Sequence, residues 1–118
     1  MYKFSNKNPF GKFENDCSIR SVATAEGITW DEAYDKLTEL AQINRTMPDD
    51  GEFIRKYLDV NYHRVPYLPE TVGEVAGLYN NNILLITMKN HITCSMFGVI
   101  EDTFDCRKRI AEDAWIVV

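Results

Sequence analysis

The stretch Asn15-Asp16-Cys17-Ser18-Ile19-Arg20-Ser21-Val22-Ala23 reads as the start of a helix with a thiol in its first turn. Asp16 or Asn15 is the expected N-cap, because a short side-chain oxygen can accept the orphan amide hydrogens of the first turn. A sulfur placed there faces unpaired N–H groups and the positive end of the helix dipole. Both favour thiolate over thiol, which is how a cysteine nucleophile is prepared. The competing assignment for Cys17 is a small buried core residue, the commoner fate of a free cysteine. Gly27 is a natural C′ residue and closes the helix, which spans about Asp16 to Glu26.

Upstream, residues 1–14 mix Tyr2, Phe4, Phe10 and Phe13 with Pro9 and Gly11, suggesting a short strand or extended lead-in and then a loop. Downstream, Thr29-Trp30-Asp31-Glu32 is a capping box that opens a second helix. Its apolar face consists of Trp30, Ala33, Tyr34, Leu37, Leu40 and Ala41 at helical spacing. Pro48 and the acids Asp49 and Asp50 start a third helix carrying Phe53, Ile54, Tyr57 and Leu58. The run Asp49-Asp50-Gly51-Glu52 lacks the twelve-residue pattern of a calcium loop, and helix capping accounts for its acids. Val60–Val65 is strand-like, and Thr71-Val72-Gly73-Glu74 is a further capping box for a short helix. After a turn at Asn80–Asn82 come strand-like runs at Ile83–Met88, His91–Phe97, Val99–Phe104 and Trp115–Val118. Helices lead and strands trail, so the expected class is α+β, with N-terminal helices packed on an antiparallel sheet.

Strand parity supplies a partner for the thiol. With Phe97-Gly98 as a two-residue hairpin turn, Met96 pairs with Val99 and Thr93 with Asp102. His91 and Thr93 then share a face, and Asp102 lies diagonally across from His91 within side-chain reach. An Asp there can accept the imidazole Nδ1–H and leave Nε2 to take a proton from a thiol. Asp105, of the wrong parity and beyond the strand end, is the second choice. His63, the other histidine, has no carboxylate at a useful spacing and reads as a surface or edge-strand residue. Cys94 falls on the strand face opposite His91 and reads as core, while Cys106 sits in a loop as a bystander thiol. A zinc site from His91, Cys94 and Cys106 lacks paired ligand spacing, so neither metal nor organic cofactor is expected. Trp30 and the tyrosines read as core and interface residues.

Composition narrows the function classes. The 118 residues make one domain, 1–118. The net charge of −5 argues against a nucleic-acid surface, which needs clustered Lys and Arg, and Arg107-Lys108-Arg109 reads as a solvated turn. No apolar run approaches a membrane span, and Met1–Asn6 has no apolar core of a secretory signal. Three cysteines without a CxxC pair fit reduced thiols, so a cytoplasmic location is expected.

A Cys opening an N-terminal helix, then a His on a central strand, then an Asp on the next, resembles the papain-like cysteine peptidases. More closely, Asn15-Asp16-Cys17, the helix beginning Thr29-Trp30-Asp31-Glu32-Ala33-Tyr34, His91-Ile92-Thr93, Gly98-Val99-Ile100 and Asp102-Thr103 resemble small C39-like proteins, many of them encoded by phages and prophages. The resemblance implies a minimal papain-like fold with Cys17 as nucleophile, His91 as general base and acid, and Asp102 as the orienting residue. It implies a hydrolase or acyl transferase working on an amide, peptide or isopeptide bond of a protein or peptide. Papain-like enzymes place a Gln about six residues ahead of the Cys to complete the oxyanion hole, and this chain has Gly11 there. The Cys17 N–H supplies one donor, and Asn15, Lys12 or Asn8 are candidates for the second. Loss of such a donor costs on the order of 100-fold in rate. The alternative reading is therefore an inactive papain-like binding module aimed at a host protein.

Overall fold

The computed structural model describes all 118 residues. In chain order the elements are β1 (Tyr2–Phe4), α1 (Cys17–Glu26), α2 (Trp30–Ile43), α3 (Gly51–Asn61), β2 (His63–Arg64), α4 (Val72–Leu78), β3 (Ile83–Met88), β4 (His91–Met96), β5 (Val99–Asp102) and β6 (Asp113–Ile116). The class is α+β. The six strands form one sheet in the order β1-β5-β4-β3-β6-β2. The sheet is mixed and not purely antiparallel, because β1 runs parallel to β5, with Lys3 beside Glu101. Between β1 and β5 the chain passes through α1, α2, α3, β2, α4, β3 and β4, a connection long enough to allow the parallel sense.

Local sequence explains most boundaries. Thr29 and Thr71 each accept the amide hydrogen of the residue three positions on, and the side chains of Glu32 and Glu74 return the bond. Asp50 caps α3 by accepting Phe53 N–H. Gly27 closes α1 at φ 68°, a left-handed conformation that costs glycine nothing. Two expectations need correction. Helix α3 runs on to Asn61, leaving only His63–Arg64 as strand where Val60–Val65 was expected. The apolar spacing Ile54, Tyr57, Leu58 continues the helical period, and α3 outlasts the β-branched residue at 60. Tyr34 lies toward solvent, stacked on Trp30, while Ala33, Leu37 and Ala41 take the core face.

The sheet separates two apolar layers. Helices α1, α2 and α3 cover one face with Val22, Leu37 and Leu58 against Leu85, Cys94 and Trp115. Helix α4 covers the other with Val72 and Val75 against Leu84, Ile86 and Ile100. The β4–β5 hairpin has the expected register, Met96 opposite Val99 and Cys94 opposite Glu101. Phe97 and Gly98 both take positive φ, 52° and 88°, as a tight primed turn requires. A second two-residue turn, Lys89-Asn90, joins β3 to β4 and places His91 at the strand start, opposite Met88. No helix is long and apolar enough to cross a membrane.

Candidate active site

Helix α1 is buried along almost its whole length, and its small residues allow it to lie close against β4. Ser21 Oγ donates to the Ile92 carbonyl at 3.0 Å, and Ser18 Oγ donates to the Pro48 carbonyl at 3.2 Å. These bonds fix the helix axially, so the first turn of α1 and the first residue of β4 arrive at the same end of the sheet. There Cys17, His91 and Ile92 line one cleft, and the His91 ring and the Ile92 backbone N–H both act on the Cys17 sulfur to lower its pKa. His91 Nε2–H donates to Asp102 Oδ2 at 2.6 Å. Cys17, His91 and Asp102, read from the sequence as a group, lie at one end of the sheet, His91 bound to Asp102 and sharing a cleft with Cys17.

The ring nitrogens are the reverse of the expected pair. Asp102 takes Nε2, which leaves Nδ1 for the thiol. The cause is reach: Asp102 lies diagonally across the register, where only the distal nitrogen extends. The Cys17 sulfur sits against the β4 backbone at Ile92, beside the nitrogen nearest the main chain.

The electrostatics favour a charged imidazole and lower the pKa of the thiol beside it. Burial opposes a charged imidazole, but hydrogen bonds to Asp102, Cys106 and Cys17 outweigh it and hold His91 up at about 11. Burial likewise opposes the Cys17 thiolate, yet His91, the Ile92 N–H and the charge of Arg20 bring its pKa below that of a free thiol. Asp102 is held down at about 2 against the effect of burial by His91 and the Thr103 backbone N–H. In the first turn of α1, the amide hydrogens of Cys17, Ser18 and Ile19 find no acceptor in the chain.

Two participants escaped the sequence reading. Arg20 is buried and joins two carboxylates, Asp16 Oδ1 at 2.7 Å and Asp102 Oδ1 at 3.0 Å. Asp16 therefore occupies the N-cap position of α1 without capping it, since Trp30 Nε1–H takes its other oxygen at 2.9 Å. Trp30 thus has a polar task beyond the core role expected of it, closing a row that runs Trp30–Asp16–Arg20–Asp102–His91–Cys17. The available signal was the single arginine in a helix stretch of small and apolar residues, four positions after Asp16. The second is Cys106, which is buried with Sγ 3.8 Å from Asp102 Oδ2 and is no bystander. Nothing in its local sequence marks it, because the loop Thr103–Asp105 alone brings it under the sheet end.

The remaining expectations sort cleanly. Asp105 is exposed and bound by Arg107, His63 is exposed on β2, and Cys94 is fully buried on the opposite sheet face from His91. Among the candidate oxyanion donors, Asn15 lines the cleft with Cys17. Lys12 lies outside that cleft, and Asn8 is absorbed in a turn, its Oδ1 accepting the Phe10 N–H. The Asn15 amide donates to Asp49 Oδ2 at 3.2 Å. The donor atoms of His91, Asp102 and Cys106 lie within 4.8 Å of one another, the one grouping with metal-ligand chemistry. Arg20 on Asp102 places a fixed positive charge where a cation would have to enter.

The row opens into a groove on both sides of His91. One basin, about 430 Å³, holds Cys17, Asn15, Asp49 and Ile54. The other, about 760 Å³, lies beyond the ring and is walled by Phe104, Lys108, Arg109 and Ile110. Fold and site together describe an α+β protein with a thiol–imidazole–carboxylate centre at a helix N-terminus, in an open groove. Comparison of the chain with family models, with curated proteins and with solved structures finds no match.

Proposed function

We propose that the chain is a papain-like cysteine hydrolase or acyl transferase acting on an amide, peptide or isopeptide bond. The observation that carries this is Cys17 sharing a groove with a His91 that is bound to Asp102 and lowers the thiol's pKa. A buried structural cysteine would have neither the imidazole nor the cleft.

In this reading the Cys17 thiolate attacks the carbonyl carbon, forming a C–S bond as the carbonyl electron pair moves to oxygen. The Cys17 backbone N–H receives the oxyanion, with Asn15 as the second donor at the cleft wall. When the tetrahedral intermediate collapses, the C–N bond breaks and His91 Nδ1–H passes its proton to the leaving amine. Water, or another nucleophile, then gives its proton to His91 and attacks the thioester, releasing the acyl group and restoring the thiolate–imidazolium pair. Asp102 keeps the ring oriented throughout, and Arg20 holds its other oxygen.

The Asn15 amide bond to Asp49 favours a second reading, a binding module in which this donor is occupied and turnover is lost. Alkylation of Cys17 by iodoacetamide across pH, compared in His91→Ala, separates the two. The enzyme reading expects reactivity to persist well below the ordinary thiol pKa of ~8.5 and to fall in the variant. A Cys17 that titrates as a free thiol and ignores His91 removes the catalytic reading and leaves the binding module.

A further inference from the structure

The two basins flanking His91 differ in charge. Beside Cys17, Asp49 and Arg55 offset one another, and Arg55 is itself bound to Glu112 at 2.9 Å. Beyond His91, the lining carries Lys89, Lys108 and Arg109 and no carboxylate. In a chain of net charge −5 this is an unusual concentration. None of the three cations has an ion-pair partner, whereas neighbouring Arg107 is bound by Asp105 at 2.7 Å. Asp105, close enough for Lys108 to act on its charge, is thus already bound by Arg107.

One of the cations, Arg109, is also positioned by an aromatic relay. The Phe104 ring packs on the His91 ring with centroids 4.7 Å apart, and the Arg109 guanidinium lies 5.0 Å from the Phe104 centroid. The guanidinium is therefore within ~10 Å of the imidazole, about three residues of extended chain. A guanidinium resting on an aromatic face keeps its fork of N–H donors free for a planar carboxylate. Phe104 and Ile110 supply apolar wall for the aliphatic part of an acidic side chain.

We propose that the basin beyond His91 is a substrate subsite for acidic side chains, in which Lys89, Lys108 and Arg109 receive a Glu or Asp within about three residues of the reacting bond. This rests on the cysteine-hydrolase reading and adds the substrate class to it: acidic peptides.

The test uses three N-iodoacetyl tetrapeptides, with Glu, Gln or Lys side chains, as alkylating agents of Cys17. Iodoacetamide serves as the control for the thiol itself. The wild type should react with the Glu peptide roughly tenfold faster than with the Lys peptide at low salt, the scale of a few exposed charge pairs. The preference should shrink as salt is raised. In Lys108→Glu/Arg109→Glu the order should invert, each peptide rate being taken relative to that variant's own iodoacetamide rate. Both positions are exposed, so the fold does not depend on them. Equal rates for the three peptides alongside normal iodoacetamide reactivity would overturn the subsite and leave the hydrolase reading standing. Binding of the same peptides without the iodoacetyl group to Cys17→Ala reads the basin independently of the thiol. There the Glu peptide should bind most tightly and lose affinity in the charge-reversed background. An oligonucleotide bound more tightly than the Glu peptide would assign the basin to nucleic acid and overturn the proposal.

Discussion

Arg20 is the residue on which the site's charge arrangement turns. Its guanidinium lies between Asp16 and Asp102, and all three side chains are withdrawn from water. Removing one member of such a group leaves the others charged and uncompensated, a cost of about 3–5 kcal/mol. Arg20→Met should destabilise by that amount in urea denaturation, far more than loss of an exposed pair such as Arg107–Asp105. Arg20 also contributes to lowering the Cys17 pKa. Alkylation of Cys17 in the folded variant should therefore move to higher pH. Arg20→Lys should recover only part of the stability, because an ammonium cannot offer two divergent N–H donors in one plane. A variant with wild-type stability and an unmoved alkylation profile would show that the two carboxylates do not need it. The placing of Cys17 in a first helical turn and of Asp102 diagonally across from His91 was legible because a helix start and a strand parity are local patterns. Arg20 was not, because its partners come from a strand 82 residues away as well as from its own first turn.

Helix starts in this chain are built in two ways, and substitutions distinguish them. At α2 and α4 a threonine caps the backbone, so Thr29→Ala should cost about 1 kcal/mol in urea denaturation. At α1 the N-cap aspartate spends both oxygens on Arg20 and Trp30 and leaves the first-turn amides open. Asp16→Ser substitutes one favoured cap for another, and a pure capping role would make it nearly neutral. The structure expects a loss of about 2–3 kcal/mol instead, from two charge-assisted hydrogen bonds. The β4–β5 hairpin has its own device. Gly98 holds φ 88°, and a Cβ there would come within 3.0 Å of the Asn80 Cβ. Gly98→Ala should cost about 1–2 kcal/mol, seen as a shift in the urea midpoint. Because this turn sets the register, it also decides which face Asp102 presents. Capping boxes and hairpin turns are written in adjacent residues, which is why these boundaries could be read from sequence. The parallel edge strand and the shortened β2 could not, since both depend on which edge the sheet leaves open.

At the scale of the whole molecule, the site should leave a signature in stability against pH. Asp102, held at about 2 against an unfolded value of 3.8, contributes stability that is present above pH 3.8 and lost as pH falls toward 2. Asp102→Asn should flatten that acid limb. His91 has the opposite sign: its pKa is raised from 6.5 to about 11, so its contribution is complete below pH 6.5 and drains away as pH rises toward 11. Over that range the folded state holds one proton more than the unfolded chain, a slope of about 1.4 kcal/mol per pH unit. Cys17 works against it. Its pKa is lowered from 9.0, so below pH 9.0 there is an interval in which the folded thiol has released a proton that the unfolded one still binds. In that interval the two contributions cancel, and the wild type should show a shoulder before stability falls again above pH 9. Cys17→Ala removes the cancelling group while keeping the Asp102–His91 bond. Its stability should decline from about pH 6.5 without a shoulder, and His91→Ala should remove the alkaline decline. Urea midpoints of the three proteins between pH 6 and 10 provide the measurement. Identical curves for wild type and Cys17→Ala would mean that Cys17 is protonated in the folded protein, and the thiolate–imidazolium pair would have to be abandoned.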